Sequence, residues 1–121
     1  MTTIVIVSHS EAIATGTKSL LNQMAQGVDV IAVGGNQGEI GTSFDEVSEV
    51  INQLEEDALC FFDIGSSEMN LDMAIEMYSG QQRIEKVTAP IVEGSFVASV
   101  ALSTGKSFDE AIEAVYEAYA R

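Results

Sequence analysis

His9 is the only histidine among the 121 residues, and it follows directly on the β-branched run Ile4-Val5-Ile6-Val7. Imidazole titrates near neutrality, so one neutral ring nitrogen can attack an electrophile such as phosphorus while the other keeps its proton. The protonated nitrogen then requires an acceptor. Asp63 is the candidate, because it ends a second apolar run, Ala58 to Phe62. A carboxylate there would select the ring tautomer and stabilise positive charge developing on it. Ser8 and Ser10 flank the histidine, Gly34, Gly35 and Gly38 punctuate a loop, Thr42 and Ser43 precede Phe44, and Ser66 and Ser67 follow Asp63. These residues are expected to hold phosphoryl oxygens through hydroxyls, main-chain amides and the helix N-terminus behind Ser10. The plainer reading is that His9 caps its strand and Asp63 closes a turn. The strand-end position of His9 favours function, and Asp63 by itself fits either.

Other chemistries are poorly served. The loop 34–41 lacks the lysine and spacing of a P-loop and does not match G-x-G-x-x-G, so nucleotide binding by this chain is disfavoured. One histidine and one cysteine cannot assemble a zinc site of the usual nitrogen and sulfur type, so no metal and no bound cofactor are expected.

The elements that must position these residues alternate. Ile4 to Val7, Val28 to Val33, Ala58 to Phe62 and the weaker Ile84 to Ala89 read as strands, the first and third apolar without polar alternation, as in a parallel sheet covered on both faces. Ser8 and Ser10 both offer N-cap oxygens, and Ser8-x-x-Glu11, the overlapping Thr42-x-x-Asp45 and Ser43-x-x-Glu46, and Ser107-x-x-Glu110 read as capping boxes that open helices. The first helix is expected to turn Ile13, Gly16, Thr17, Leu20, Leu21 and Met24 inward, the second Phe44, Val47, Ile51 and Leu54, and the third Leu71, Ala74, Ile75 and Tyr78 with Met69, Met73 and Met77 packed around it. Ile91 to Ser103 is a small-residue-rich helix, and Phe108, Ala111, Ile112, Val115 and Tyr119 mark the inward face of the last one. The fold class is therefore α/β: an open, mostly parallel sheet of four to five strands with helices on both faces, formed by one domain over residues 1–121. Ligands of such sheets bind at the carboxyl ends of the strands, where His9, Gly34, Gly35 and Asp63 all fall.

Nineteen acidic residues against five basic ones give a formal charge of −14. That field repels nucleic acid and anionic membrane surfaces, and it can steer a basic protein patch toward a docking face. No apolar run approaches the ~20 residues of a membrane-spanning helix, and the short N-terminal run has no basic flank or cleavage site. Cys60 stands alone in an apolar run, as a small buried hydrophobe would. A reducing cytoplasm is the expected location.

Ile-Val-Ile-Val-Ser-His-Ser with its helix, Val-Gly-Gly-Asn-Gln-Gly-Glu-Ile-Gly-Thr-Ser, and a strand ending in Asp63 before a serine-rich turn resemble, over essentially the whole chain, the mannose-type IIA family of the sugar phosphotransferase system. Within that family the chain is most similar to the phosphoryl-donor subunits of phosphoenolpyruvate-dependent dihydroxyacetone kinase, through Gly34-Gly35 and Ile40-Gly41-Thr42-Ser43. The resemblance implies that the phosphocarrier HPr phosphorylates His9 through the ring nitrogen farther from the backbone, with Asp63 bonding the other. It also implies that His9 passes the group to ADP, with Mg2+, on a separate nucleotide-binding kinase subunit, while a third subunit holds dihydroxyacetone. Some relatives carry HPr-like and enzyme-I-like domains on the same chain. This one ends at Arg121, so its donor is expected in trans. A homodimer is implied as well, although Pro90 and the helical pattern after it offer no clear extra strand for exchange. Two rivals are a IIA domain that serves a mannose-type transporter through a IIB partner, and a receiver-like regulatory module. The second fits poorly, because Ser8-His9-Ser10 stands where such modules place acidic residues.

Overall fold

The computed structural model describes residues 1–119. Nine elements run in the order β1 (Thr2–Ser8), α1 (Glu11–Met24), β2 (Val30–Gly34), α2 (Phe44–Asn52), β3 (Asp57–Phe62), α3 (Ser66–Met77), β4 (Ile84–Lys86), α4 (Ile91–Ser103) and α5 (Phe108–Ala118). The four strands form one parallel sheet in the order β2-β1-β3-β4. This is the doubly covered α/β architecture expected from the sequence.

Period-two side-chain geometry explains why β1 needs no polar positions. Ile4 and Ile6 point to one face, where Leu59 and Phe61 of β3 join Ala14 and Leu21 of α1, Ala98 of α4, and Ala111 and Val115 of α5. Val5 and Val7 point to the other, against Cys60, Val47 and Ile51 of α2, and Leu71 and Ala74 of α3. All four β1 residues are fully buried. Full burial of such side chains contributes roughly 1.5–3 kcal/mol each, so β1 is the central staple of both cores.

Helix starts follow local chemistry. Ser43 accepts from the Glu46 amide, and Ser107 with Glu110 completes a reciprocal capping box. Four expectations require correction. The cap of α1 is Ser10, whose side chain accepts from the Ile13 amide, and not Ser8. The inward face of α1 is Ala14, Thr17 and Leu21, while Ile13, Gly16, Leu20 and Met24 are exposed. Small Ala14 and Thr17 let the helix sit close to β2, and the Thr17 hydroxyl is satisfied by the Ile13 carbonyl at 2.7 Å. Met69, Met73 and Met77 likewise point outward on α3. The last strand is also shorter than expected: β4 ends at Lys86, and one further bond from the Val87 amide to the Cys60 carbonyl (2.8 Å) precedes the turn into α4. No helix among the described residues is long and apolar enough to cross a membrane.

Candidate functional site

The sheet order places β1 between β2 and β3, so the chain leaves β1 toward one side first and the other side later. The crevice between the carboxyl ends of β1 and β3 is the switch point at which open α/β sheets bind ligands. Val7 is paired with Phe62, so the next residues, Ser8-His9 and Asp63, emerge together. His9 Nδ1 lies 2.7 Å from Asp63 Oδ2, across 54 positions of sequence.

The carboxylate of Asp63 is enclosed by donors. Oδ2 also accepts from the Ser8 hydroxyl (2.5 Å), while Oδ1 accepts from the His9 amide (3.2 Å) and the Ser67 hydroxyl (2.7 Å). Burial raises the pKa of Asp63, but the hydrogen bonds from Ser8, Ser67 and both groups of His9 outweigh it and hold the carboxyl below its ordinary value. An ionised Asp63 can only accept, so the ring nitrogen facing it carries a proton. The neutral histidine is thereby the Nδ1–H tautomer, and Nε2 keeps a free lone pair. The side chain of His9 is one-quarter exposed and that of Asp63 one-tenth, so the ring is reachable and its partner is sheltered.

Thr42 joins the same cluster, its Oγ1 3.1 Å from Ser67 Oγ. Ser10 stands at the α1 N-terminus, directly after His9, and its amide donates to Ser8 Oγ at 3.0 Å. The glycine-rich loop is laced to the end of β1 by two main-chain bonds, Gly35 N to Ser8 O (3.2 Å) and Gly41 N to His9 O (2.7 Å). A Cβ on Gly34 would lie 2.6 Å from the Ser10 carbonyl and 2.9 Å from Ala14 Cβ. Gly34 therefore has a packing reason, close approach to the first turn of α1. Gly38, at φ +84°, turns the chain between the bridged residues Asn36 and Glu39. Ser43 caps α2 and Ser66 is an exposed first-turn residue of α3. The structure thus gathers Ser8, His9, Asp63, Ser67 and Thr42, sets Ser10 beside them, and gives Ser43 and Gly38 duties in cap and turn.

Two contributors were not foreseen: the Gly41 amide, and Asn70, whose Nδ2 donates to the Thr42 carbonyl at 3.2 Å. A mid-helix asparagine carries no local signal for such a contact. A cavity of about 890 Å³ lies elsewhere, between α3, β4 and α5, and holds none of these residues.

The family described as PTS system fructose IIA component matches residues 3–112. The PTS-dependent dihydroxyacetone kinase, phosphotransferase subunit DhaM, of Lactococcus lactis is 47% identical over 108 residues, which cover 88% of this chain and 86% of the relative. The PEP-dependent dihydroxyacetone kinase 1, phosphoryl donor subunit DhaM, of Listeria innocua is 38% identical over 95 residues, 77% of this chain and 75% of the relative. A crystal structure of a protein of unknown function superposes with a TM-score of 0.87 at 25% identity, covering 96% of this chain and 93% of that one.

Proposed function

This chain belongs to the PTS system fructose IIA component family, and from that premise we propose that it is the phosphoryl-donor subunit of a phosphoenolpyruvate-dependent dihydroxyacetone kinase, with His9 as its phosphohistidine. The observation that carries the reading is the 2.7 Å contact between His9 Nδ1 and Asp63 at the switch point of the sheet. The two relatives, both named as phosphoryl-transferring subunits of dihydroxyacetone kinases, favour this role over service to a sugar transporter.

In the first step the Nε2 lone pair attacks the phosphorus of the donor's phosphohistidine. A new N–P bond forms as the donor's N–P bond breaks, and the donor imidazole leaves with that electron pair. No proton moves at Nε2, because the ring proton stays on Nδ1 beside Asp63. The phosphorylated ring is then cationic, and the carboxylate stabilises it. In the second step an oxygen of the acceptor attacks phosphorus and the ring departs neutral. Transfer of this kind is mostly positioning and charge neutralisation. The sparse equipment of this chain suits a partner subunit that brings ADP and Mg2+.

HPr is the proposed donor, and the nucleotide-binding subunit, working with the dihydroxyacetone-binding subunit, the proposed acceptor. Both must reach the same histidine. Ile40 and Ile64, which adjoin the Gly41 tether and Asp63 respectively, are exposed, as is Met69 on the first turns of α3. Apolar side chains beside the nucleophile on a chain of charge −14 suit a partner face with an apolar centre and a basic rim. A homodimer remains part of the reading, to be measured by sedimentation equilibrium.

The test is incubation with phosphoenolpyruvate, enzyme I and HPr. The expected product is an acid-labile, base-stable mass increase of one phosphate, which the ADP-loaded kinase subunit drains. His9→Gln should take up none, and labelling of that variant would overturn the assignment. Discharge to a IIB partner, with none to the kinase subunit, would move the chain to a transporter role.

A further inference from the structure

We propose that Ser67 and Ser8 are positioning residues that act on His9 through Asp63, and that neither binds the transferred phosphoryl group; this rests on the phosphocarrier reading above. Their residue types alone place them among phosphate ligands. Their geometry does not.

A serine hydroxyl has one proton to give and two lone pairs with which to accept. Ser67 gives its proton to Asp63 Oδ1 at 2.7 Å, so the 3.1 Å contact with Thr42 must be Thr42 donating to Ser67. Ser8 gives its proton to Asp63 Oδ2 and accepts from the Ser10 amide at 3.0 Å. Both serines are fully buried. Neither retains a proton for an incoming phosphoryl oxygen, and neither meets solvent, from which the donor approaches.

What they do is fill the carboxylate. Asp63 has two donors on each oxygen: the His9 amide and Ser67 on Oδ1, and Ser8 and the His9 ring on Oδ2. The four come from the end of β1, the first residue after it and the start of α3. Thr42 ties the loop before α2 into the same set. A carboxylate held at both oxygens cannot pivot, so the imidazole bonded to it has one orientation, and Nε2 has one line of attack. Without Ser67, Oδ1 keeps only the 3.2 Å amide bond and the group can swing about Oδ2. In-line transfer is sensitive to such loosening, since misplacement by about 1 Å can cost 10²-fold.

The experiment compares phosphorylation from phospho-HPr in wild type, Ser67→Ala, Ser67→Thr and Thr42→Val, together with the His9 ring resonances by 1H–15N NMR. Ser67→Ala is expected to lower kcat roughly tenfold with KM for phospho-HPr unchanged, and to broaden the exchange-protected Nδ1–H signal expected of wild type. Ser67→Thr, which keeps the hydroxyl, restores both. Thr42→Val removes the donor behind Ser67 and gives a smaller loss of the same kind; it also serves if Ser67→Ala does not fold. A wild-type rate and a wild-type Nδ1–H signal in Ser67→Ala, or in Thr42→Val should Ser67→Ala not fold, overturn the proposal. So does faster hydrolysis of the phosphoprotein with an unaltered ring signal, which is the mark of a phosphate ligand. If wild type itself takes up no phosphate, the phosphocarrier reading fails, whereas the ring signal still reports whether the serines hold Asp63.

Discussion

Serine is buried in two parts of this molecule with opposite outcomes. At the carboxyl edge, Ser8 and Ser67 are fully buried and each is bonded to the Asp63 carboxylate. In α4, Ser95 and Ser99 are as deeply buried among small neighbours; Ser95 bonds the Val92 carbonyl of its own helix at 3.1 Å, and Ser99 Oγ has no partner among the described residues. Burial and residue type are the same. Only at the edge does a charge organise the hydroxyls. In α4 serine is chiefly a small residue that lets the helix lie close to β1 and β3, and the unpaired hydroxyl is a cost, since a buried polar group without a partner loses about 1–3 kcal/mol.

That contrast can be broken at three points. The largest effect is expected from Asp63→Asn, which takes away the charge around which the edge is built. An amide cannot accept on both arms, so the ring loses its fixed tautomer, and transfer from phospho-HPr should slow by roughly 10²-fold or more in a protein that remains folded. Stopped-flow phosphorylation with circular dichroism checks both, and an unchanged rate would make Asp63 merely structural.

Next is the pH dependence of stability. The folded-state pKa of Asp63 lies below its ordinary value, so folding binds fewer protons than unfolding at this group. Its stabilising contribution is complete above the ordinary carboxylate range and disappears as pH falls through the lowered value. Urea denaturation should therefore show wild type more stable than Asp63→Asn at pH 7, with the gap narrowing as the pH falls below the ordinary carboxylate value. A gap that widens on acidification would contradict the hydrogen-bonded carboxylate.

The smallest effect belongs to Ser99→Ala. Removing an unpaired buried hydroxyl should leave phosphorylation untouched and raise stability by about 1 kcal/mol. A loss of stability of that size would show that Ser99 has a partner after all.

Much of this arrangement was legible in the sequence because it is local or periodic. The unbroken apolar runs ending at Val7 and Phe62 marked strands covered on both faces, and strand alternation with helices was enough to bring His9 and Asp63 to one edge. Ser43-x-x-Glu46 and Ser107-x-x-Glu110 located two helix starts because those bonds lie within one turn. Ser8-x-x-Glu11 looked the same and was not, because Asp63, 55 positions away, claims the Ser8 hydroxyl. No local pattern contains that competitor. The stripe on α1 is legible in part: Thr17 and Leu21 do face inward, but hydropathy also favours Ile13 and Leu20, whereas the close approach at Gly34 puts Ala14 in their place. Outward methionines on α3 read as core because periodicity gives spacing without direction.

The parallel register of the sheet has a kinetic side. The central strand can pair with β3 only after two helices and β2 have been passed, and the bond from His9 to Asp63 closes a loop spanning 54 positions. Pairings so distant in sequence are slow to form, because the entropy of closing the loop is lost before the contact is gained. The residues of β1 thus wait for the middle of the chain, and a partly folded molecule has a histidine with no carboxylate beside it. With His9 in the proposed phosphohistidine role, competence to carry phosphate becomes a late event of folding that follows closure of the central strand pair.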